Sequence, residues 1–118
     1  MKNIINTTPH DITMTDLATG EVYSVPPCGT IINATATDEV VGTHPAGATL
    51  VRVRFSADEK NSAALAALEA AHPGAIIVGS LIAAQAFPGR VLAMVAAPGF
   101  ERVPPAEKRM RDDRFTIF

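Results

Sequence analysis

The sequence predicts an α+β fold: a small antiparallel or mixed β-sheet with two helices and a C-terminal extended segment. Three observations carry this expectation. Short stretches in the first half alternate apolar and polar residues with a period of two. One alanine-rich stretch has a helix start at one end and a helix stop at the other. A short apolar run then meets Gly79-Ser80, a second helical stretch and another apolar run. At 118 residues and 12.4 kDa, the chain has the size of one domain spanning 1–118.

Taken in order, Ile4 and Ile5 form a first strand, which the turn Asn6-Thr7-Thr8-Pro9-His10-Asp11 ends. Pro9 fixes its own φ, and the Asn, Thr and Asp side chains bond readily to a bent backbone. Ile12 and Met14 alternate with Thr13 and Thr15, residues 16–20 turn, and residues 21–25 resume the alternation, which describes a hairpin closed by Pro26-Pro27-Cys28-Gly29. Residues 30–36 are a further strand candidate, followed by a Gly/Pro/His loop across 42–47.

Residues 49–55 are the clearest strand, with Leu50, Arg52 and Arg54 on one face and Val51, Val53 and Phe55 on the other. The two guanidiniums either belong to a solvated face paired with carboxylates or bind an anion. Ser56-Ala57-Asp58-Glu59 has the pattern of a capping box, with Ser56 accepting from the Glu59 amide. The helix it starts runs through Ala71, has Leu65 and Leu68 on one face, and stops at His72-Pro73-Gly74. Residues 75–78 read as a buried strand, Ser80 as the N-cap of a second helix over 81–86, and residues 90–96 as a core strand before a turn at 97–100.

Composition bounds the function. The chain is 47% hydrophobic but contains twenty alanines and no tryptophan, so the core is built from small aliphatic side chains with little room for a large enclosed pocket. A site shared between subunits, and hence a homo-oligomer, is the expectation. A net charge of −2 and a pI of about 5.8 exclude a general coat for long nucleic acid. The lone Cys28 makes no internal disulfide and no zinc cluster. The apolar run of the first six residues stops after two, too short for a signal peptide, and no segment approaches membrane-spanning length. A cytoplasmic chain with no membrane partner is expected.

Catalytic signatures are scarce. There is no Gly-x-Ser-x-Gly, Walker loop or Gly-x-Gly-x-x-Gly, so no catalytic residue, metal or cofactor is assigned and the chain is read as a non-enzyme. His10, His44 and His72 each flank a proline in separate turns; a metal-dependent hydrolase using His10 requires those loops to converge with a carboxylate such as Asp11. The stronger signal is positional: residues 1–100 carry −3, and residues 101–118 carry +1. Of seven arginines, Arg90, Arg102, Arg109, Arg111 and Arg114 lie in the last 29 residues, interleaved with Phe100, Phe115 and Phe118. Guanidinium makes bidentate contacts to phosphate and stacks on bases.

If residues 109–118 are extended, Arg109 and Arg111 point one way with Asp113 and Phe115, a face able to clamp a phosphate and stack a base. The free amides after Ser80 favour an anion as well. Ser80, Arg90, Phe100, Arg102, Arg109, Arg111 and Phe115 are therefore the candidate ligand-binding residues. The alternative is a solvated terminal segment whose arginines pair with Glu101, Glu107, Asp112 and Asp113, or which packs on another subunit.

Asn6-Thr7-Thr8-Pro9-His10, after its Ile-rich start, resembles the Asn-Leu-Thr-Pro-His opening of a family of small proteins carried by phages and prophages. Pro27-Cys28-Gly29 resembles that family's Pro-Ser-Gly turn, residues 77–86 with Arg90 resemble its strand-to-helix segment, and Pro98-Gly99 with the final strand completes the likeness over nearly the whole chain. Thr7 in place of Leu and Cys28 in place of Ser depart from the pattern. The chain is also similar in size and style to the anti-Thoeris and anti-CBASS sponges of phages, which bind cyclic nucleotide signals of bacterial immunity and hold them without cleavage. The resemblance implies an immune-evasion sponge in the cytoplasm of a bacterial host. Its ligand would be of the cyclic ADP-ribose type or a cyclic oligonucleotide, held between subunits with no cofactor. The other function open to such a chain is a non-catalytic phage accessory module that docks its tail on a partner protein.

Overall fold

The computed structural model describes residues 2–118. In chain order its strands are β1 (Ile4–Asn6), β2 (Ile12–Thr15), β3 (Val22–Val25), β4 (Thr35–Thr43) and β5 (Thr49–Ser56), then β6 (Ile76–Gly79), β7 (Leu92–Ala96) and β8 (Met110–Thr116). Helix α1 (Glu59–Ala71) lies between β5 and β6, helix α2 (Leu81–Ala86) between β6 and β7, and a 3-10 turn (Pro105–Glu107) precedes β8. Six strands form one mixed sheet in the order β1-β6-β7-β8-β2-β3, and β4-β5 form a second, two-stranded antiparallel sheet. The fold is α+β.

The six-stranded sheet curls until its edges meet. Asn6 bridges Pro27 in parallel, the Cys28 amide donates to Asn6 O at 2.9 Å, and Asn6 Nδ2 donates to Val25 O at 3.1 Å, so β1 and β3 are joined although neither is an interior strand. The period-two alternation then separates two cores. Ile4, Ile12, Met14 and Val78 pack with Tyr23, Val25, Ile76, Met94, Met110 and Phe115 on the face the curl encloses. Ile5, Ile77 and Ala93 point the other way, beneath Leu65 of α1 and Ala83, Ala84 and Phe87 at α2. Beside the enclosed core Asp112, 1% exposed, accepts from Tyr23 Oη at 2.6 Å and pairs with Lys2 Nζ at 3.4 Å. Burial, followed by the hydrogen bond to Asp112, pushes the Tyr23 hydroxyl up to about 12, so it remains a donor throughout the working pH range.

Three expectations need correction. Residues 30–34 are not strand: Ile32, 1% exposed, anchors this stretch in the helix-side core, and the strand runs from Thr35 through Thr43. The start of the expected 42–47 loop is thus paired strand, and the turn itself is closed by His44 N donating to Ala48 O at 2.8 Å. The cap of α1 is Asp58, whose side chain accepts from Asn61 N at 2.8 Å, because β5 still holds Ser56 in its ladder and the helix cannot begin there. The C-terminal segment is extended as expected, but β8 lies inside the sheet, bonded to β7 on one edge and β2 on the other.

The β5 alternation stands as read. Val51, Val53 and Phe55 pair with Val40, Asp38 and Ala36 on one face of the β4-β5 ribbon, and Arg52 and Arg54 pair with Glu39 and Thr37 on the other. Arg54 sits 3.6 Å from Glu39, with both side chains well exposed, so the two arginines belong to a solvated, carboxylate-paired face.

Candidate functional site

The turn after β1 is held from below by two buried polar residues. Asn6 and Thr7 are each 1% exposed. Asn6 Oδ1 accepts from Thr8 N at 2.9 Å and Thr8 Oγ1 at 2.7 Å, while Asn6 Nδ2 donates to His10 O at 2.7 Å as well as to β3. Thr7 Oγ1 donates to Val78 O at 2.8 Å, which satisfies a hydroxyl that burial otherwise penalises. The Asn-Thr-Thr-Pro-His stretch is thus a rigid turn that presents Thr8 and His10 outward.

Parallel pairing of β2 with β8, Met14 opposite Met110, brings the residues ahead of each strand to the same end of the sheet. His10 and Asp11 come from one side and Lys108 from the other, around a groove of about 740 Å³ floored by Ile12, Met94 and Met110. A smaller hollow of about 350 Å³ shares Thr13, Ala106 and Lys108 with it and adds Phe100, Glu107 and Arg109. The loop between β7 and β8 is folded back by its own bonds: Ala97 N donates to Arg109 O at 2.8 Å, Phe100 N to Ala97 O at 3.0 Å, and Lys108 Nζ to Glu101 O at 3.2 Å. This fold-back sets the Arg109 guanidinium 4.9 Å from the Phe100 ring centroid. The stack orders both groups for about 0.5–1 kcal/mol at an exposed position.

Of the seven residues singled out from sequence, Phe100 and Arg109 come together here, and the others lie elsewhere. Ser80 caps α2, its Oγ accepting from Ala83 N at 3.1 Å; with six residues the helix is a packing element. Arg90 makes a two-pronged bond to Glu69, at 2.6 and 3.2 Å, and lies 5.9 Å from the Phe87 ring, clasping α1 to the end of α2. The hydrogen bond from Arg90 holds the Glu69 carboxyl below its ordinary value. Arg102 is exposed in the turn after β7.

Arg111 is committed to Asp113 through bonds of 2.6 and 2.8 Å. Phe115 does not share their face: the β7-β8 register shifts between Met94 and Ala96, and Phe115 turns in opposite Met94 with the enclosed core. A uniform alternation along 109–118 misses that shift. Lys108 precedes Arg109 in the chain and lines both hollows, whereas Thr8 and Thr13 reach the same end of the sheet only through the pairing of β2 with β8, which no local pattern announces. The histidines stand apart, His10 at the groove, His44 in the ribbon turn and His72 at the end of α1. Among the described residues no three His, Cys, Asp or Glu side chains gather as cation ligands. Among the described residues no helix is long and apolar enough to cross a membrane.

The Arg111 pair gives a pH prediction. Its hydrogen bonds pull the Asp113 carboxyl from 3.8 down to about 2. The unfolded chain binds this proton first, so the pair stabilises the fold above 3.8, and its contribution is lost as pH falls toward about 2. Asp113→Asn is expected to lower Tm slightly at neutral pH, with the gap from wild type closing across that window in thermal scans followed by circular dichroism. A gap unchanged at pH 2 would contradict the pairing.

Compared with protein-family models, with curated proteins and with solved structures, the chain matches none.

Proposed function

We propose that this chain is a non-catalytic binding protein that holds a cyclic nucleotide signal intact, as a phage sponge against bacterial immunity does. The ligand class is a cyclic ADP-ribose isomer or a cyclic oligonucleotide. The observation that carries the reading is the Arg109 guanidinium set 4.9 Å from the Phe100 ring, with Lys108 beside it on the rim of an open groove. Two cations suit phosphate oxygens, and an aromatic ring with a stacked guanidinium suits the face of a base. The Thr8 and Thr13 hydroxyls and the Asp11 and Glu107 carboxylates suit ribose hydroxyls and base N–H groups. The groove is open rather than enclosed, in keeping with a core of small side chains.

Isothermal titration of the full chain against cyclic ADP-ribose isomers and cyclic di- and trinucleotides tests the reading. Phe100→Ala and Arg109→Ala are each expected to weaken binding about tenfold or more, in line with roughly 1–3 kcal/mol for a base stacked on an aromatic side chain. Ligand recovered after heating the complex is expected unchanged; an altered product identifies an enzyme instead. The accessory-module reading, in which the tail docks on a partner, has less to stand on, since β8 sits between β7 and β2 within the sheet and leaves Ile117 and Phe118 as the exposed apolar end of the tail.

A further inference from the structure

The β4-β5 ribbon is built unlike a finished surface element. It forms its own two-stranded sheet, tied to the body at its root, where Phe55 packs with Ala34 against the helix-side core. The radius of gyration is 16.6 Å, against about 13.5 Å for a compact chain of this length. A two-stranded ribbon alone in water is marginally stable, and both of its long edges offer unpaired backbone groups. One face is mainly apolar: Val40, Val51 and Val53 are 70%, 49% and 47% exposed and continue outward from Phe55, with Asp38 the one charged side chain among them.

The charges of the two edges identify what covers it. Strand β4 carries only acids, Asp38 and Glu39, and β5 carries only bases, Arg52 and Arg54. Within the ribbon Glu39 lies opposite Arg52 and pairs with Arg54. Placing β4 beside the β5 of another copy, antiparallel, repeats that match on the free side of Glu39. Pairing β4 with β4, or β5 with β5, sets like charges opposite each other, which is destabilising. Matched edges therefore join head to tail, with all ribbons pointing the same way and all valine faces on one side. A head-to-tail contact closes into a ring or runs on as a filament.

Two ribbons merely stacked face to face cover too little. A face about 27 Å long and 10 Å wide buries roughly 540 Å² in total, against about 1,200 Å² for a stable interface. We infer that the ribbons of three or more copies of this chain pair edge to edge, β4 to the neighbouring β5, and close into a barrel whose interior is the valine face. Closure removes both free edges and buries the face at once. This inference does not rest on the ligand reading, since the ribbon contributes no residue to the groove.

Light scattering after size exclusion, with the full chain at about 50 µM, is expected to give a mass of at least three times 12.4 kDa. Val51→Lys with Val53→Lys, at exposed positions, is expected to leave the circular dichroism of the body intact and reduce the particle to one chain. Exchanging the edge charges through Glu39→Arg, Arg52→Glu and Arg54→Glu keeps the match inside the ribbon. That variant is expected to assemble with itself but not with wild type when the two are mixed and weighed by native mass spectrometry. A wild-type chain that stays monomeric or dimeric, whether or not it captures another protein, overturns the inference. So does an unchanged mass for the valine variant, or free mixing of the charge-exchanged chain with wild type.

Discussion

Gly79→Ala is expected to destabilise the fold by about 2–3 kcal/mol, the upper part of the range for overpacking a filled site. Gly79 ends β6 beneath α2, and a β-carbon there would lie 2.8 Å from Val91 Cγ1 and 2.9 Å from Thr7 Oγ1. Neither neighbour has room to move. Val91 is fully buried, and the Thr7 hydroxyl is fixed by its bond to Val78 O. The displacement reaches the turn that carries Thr8 and His10, so a stability defect here also loosens one wall of the groove. For a domain of this size Tm is expected to fall by roughly 10 °C. Gly42→Ala is the control: its β-carbon would meet nothing within 4 Å, and the change should stay within about 0.5 kcal/mol. Equal losses at both positions would contradict the packing account.

Asn6→Ala is expected to cost about 3 kcal/mol or more in urea unfolding, because it strips partners from several groups at once. The Val25 and His10 carbonyls lose a donor, and the Thr8 amide and hydroxyl lose an acceptor. The effect extends beyond one bond because Asn6 also lies at the seam between β1 and the chain after β3. Asn6→Asp, which keeps the acceptor and loses the donors, is expected to fall between wild type and alanine. The same series should weaken ligand binding even where most of the protein remains folded, since Thr8 and His10 lose their support. A loss of less than about 1 kcal/mol for the alanine variant would show that the turn holds its shape without Asn6.

What could be read in the sequence was whatever one segment expresses by itself. The alternation of Leu50 through Phe55 gave the two faces of β5 directly, and Ser80 capped the helix it precedes. Errors arose where distant residues decide. Ile32 looked like strand because it is apolar, yet its burial comes from helices that follow much later in the chain. Ser56 looked like a cap until the β4 ladder claimed it. Arg90 reads as free for phosphate because Glu69 lies 21 residues away in the chain, whereas Arg111 takes Asp113, one of the carboxylates named by the alternative of a solvated segment. Phe115 was placed on the face of Arg111 by a uniform period of two, which a register shift interrupts. The meeting of His10 with Lys108 depends on β8 entering the sheet beside β2, and strand order has no local signature. Phe100 and Arg109 stand out by residue type alone, and the contact between them is made by a loop fold-back that no local pattern announces.

A phosphate-bearing nucleotide is proposed to sit at the β2-β8 end, where the groove adjoins the hollow of Phe100, Lys108 and Arg109. The most direct measurement is a titration of isotope-labelled full chain with cyclic ADP-ribose isomers and cyclic oligonucleotides, followed by amide chemical shifts residue by residue. Saturable shifts gathered at Thr8, His10, Phe100, Lys108 and Arg109, with Ser80 and Arg90 unmoved, are the predicted result. Saturation centred on Ser80 or Arg90, or no saturable shift with any member of the panel up to millimolar concentration, would contradict it.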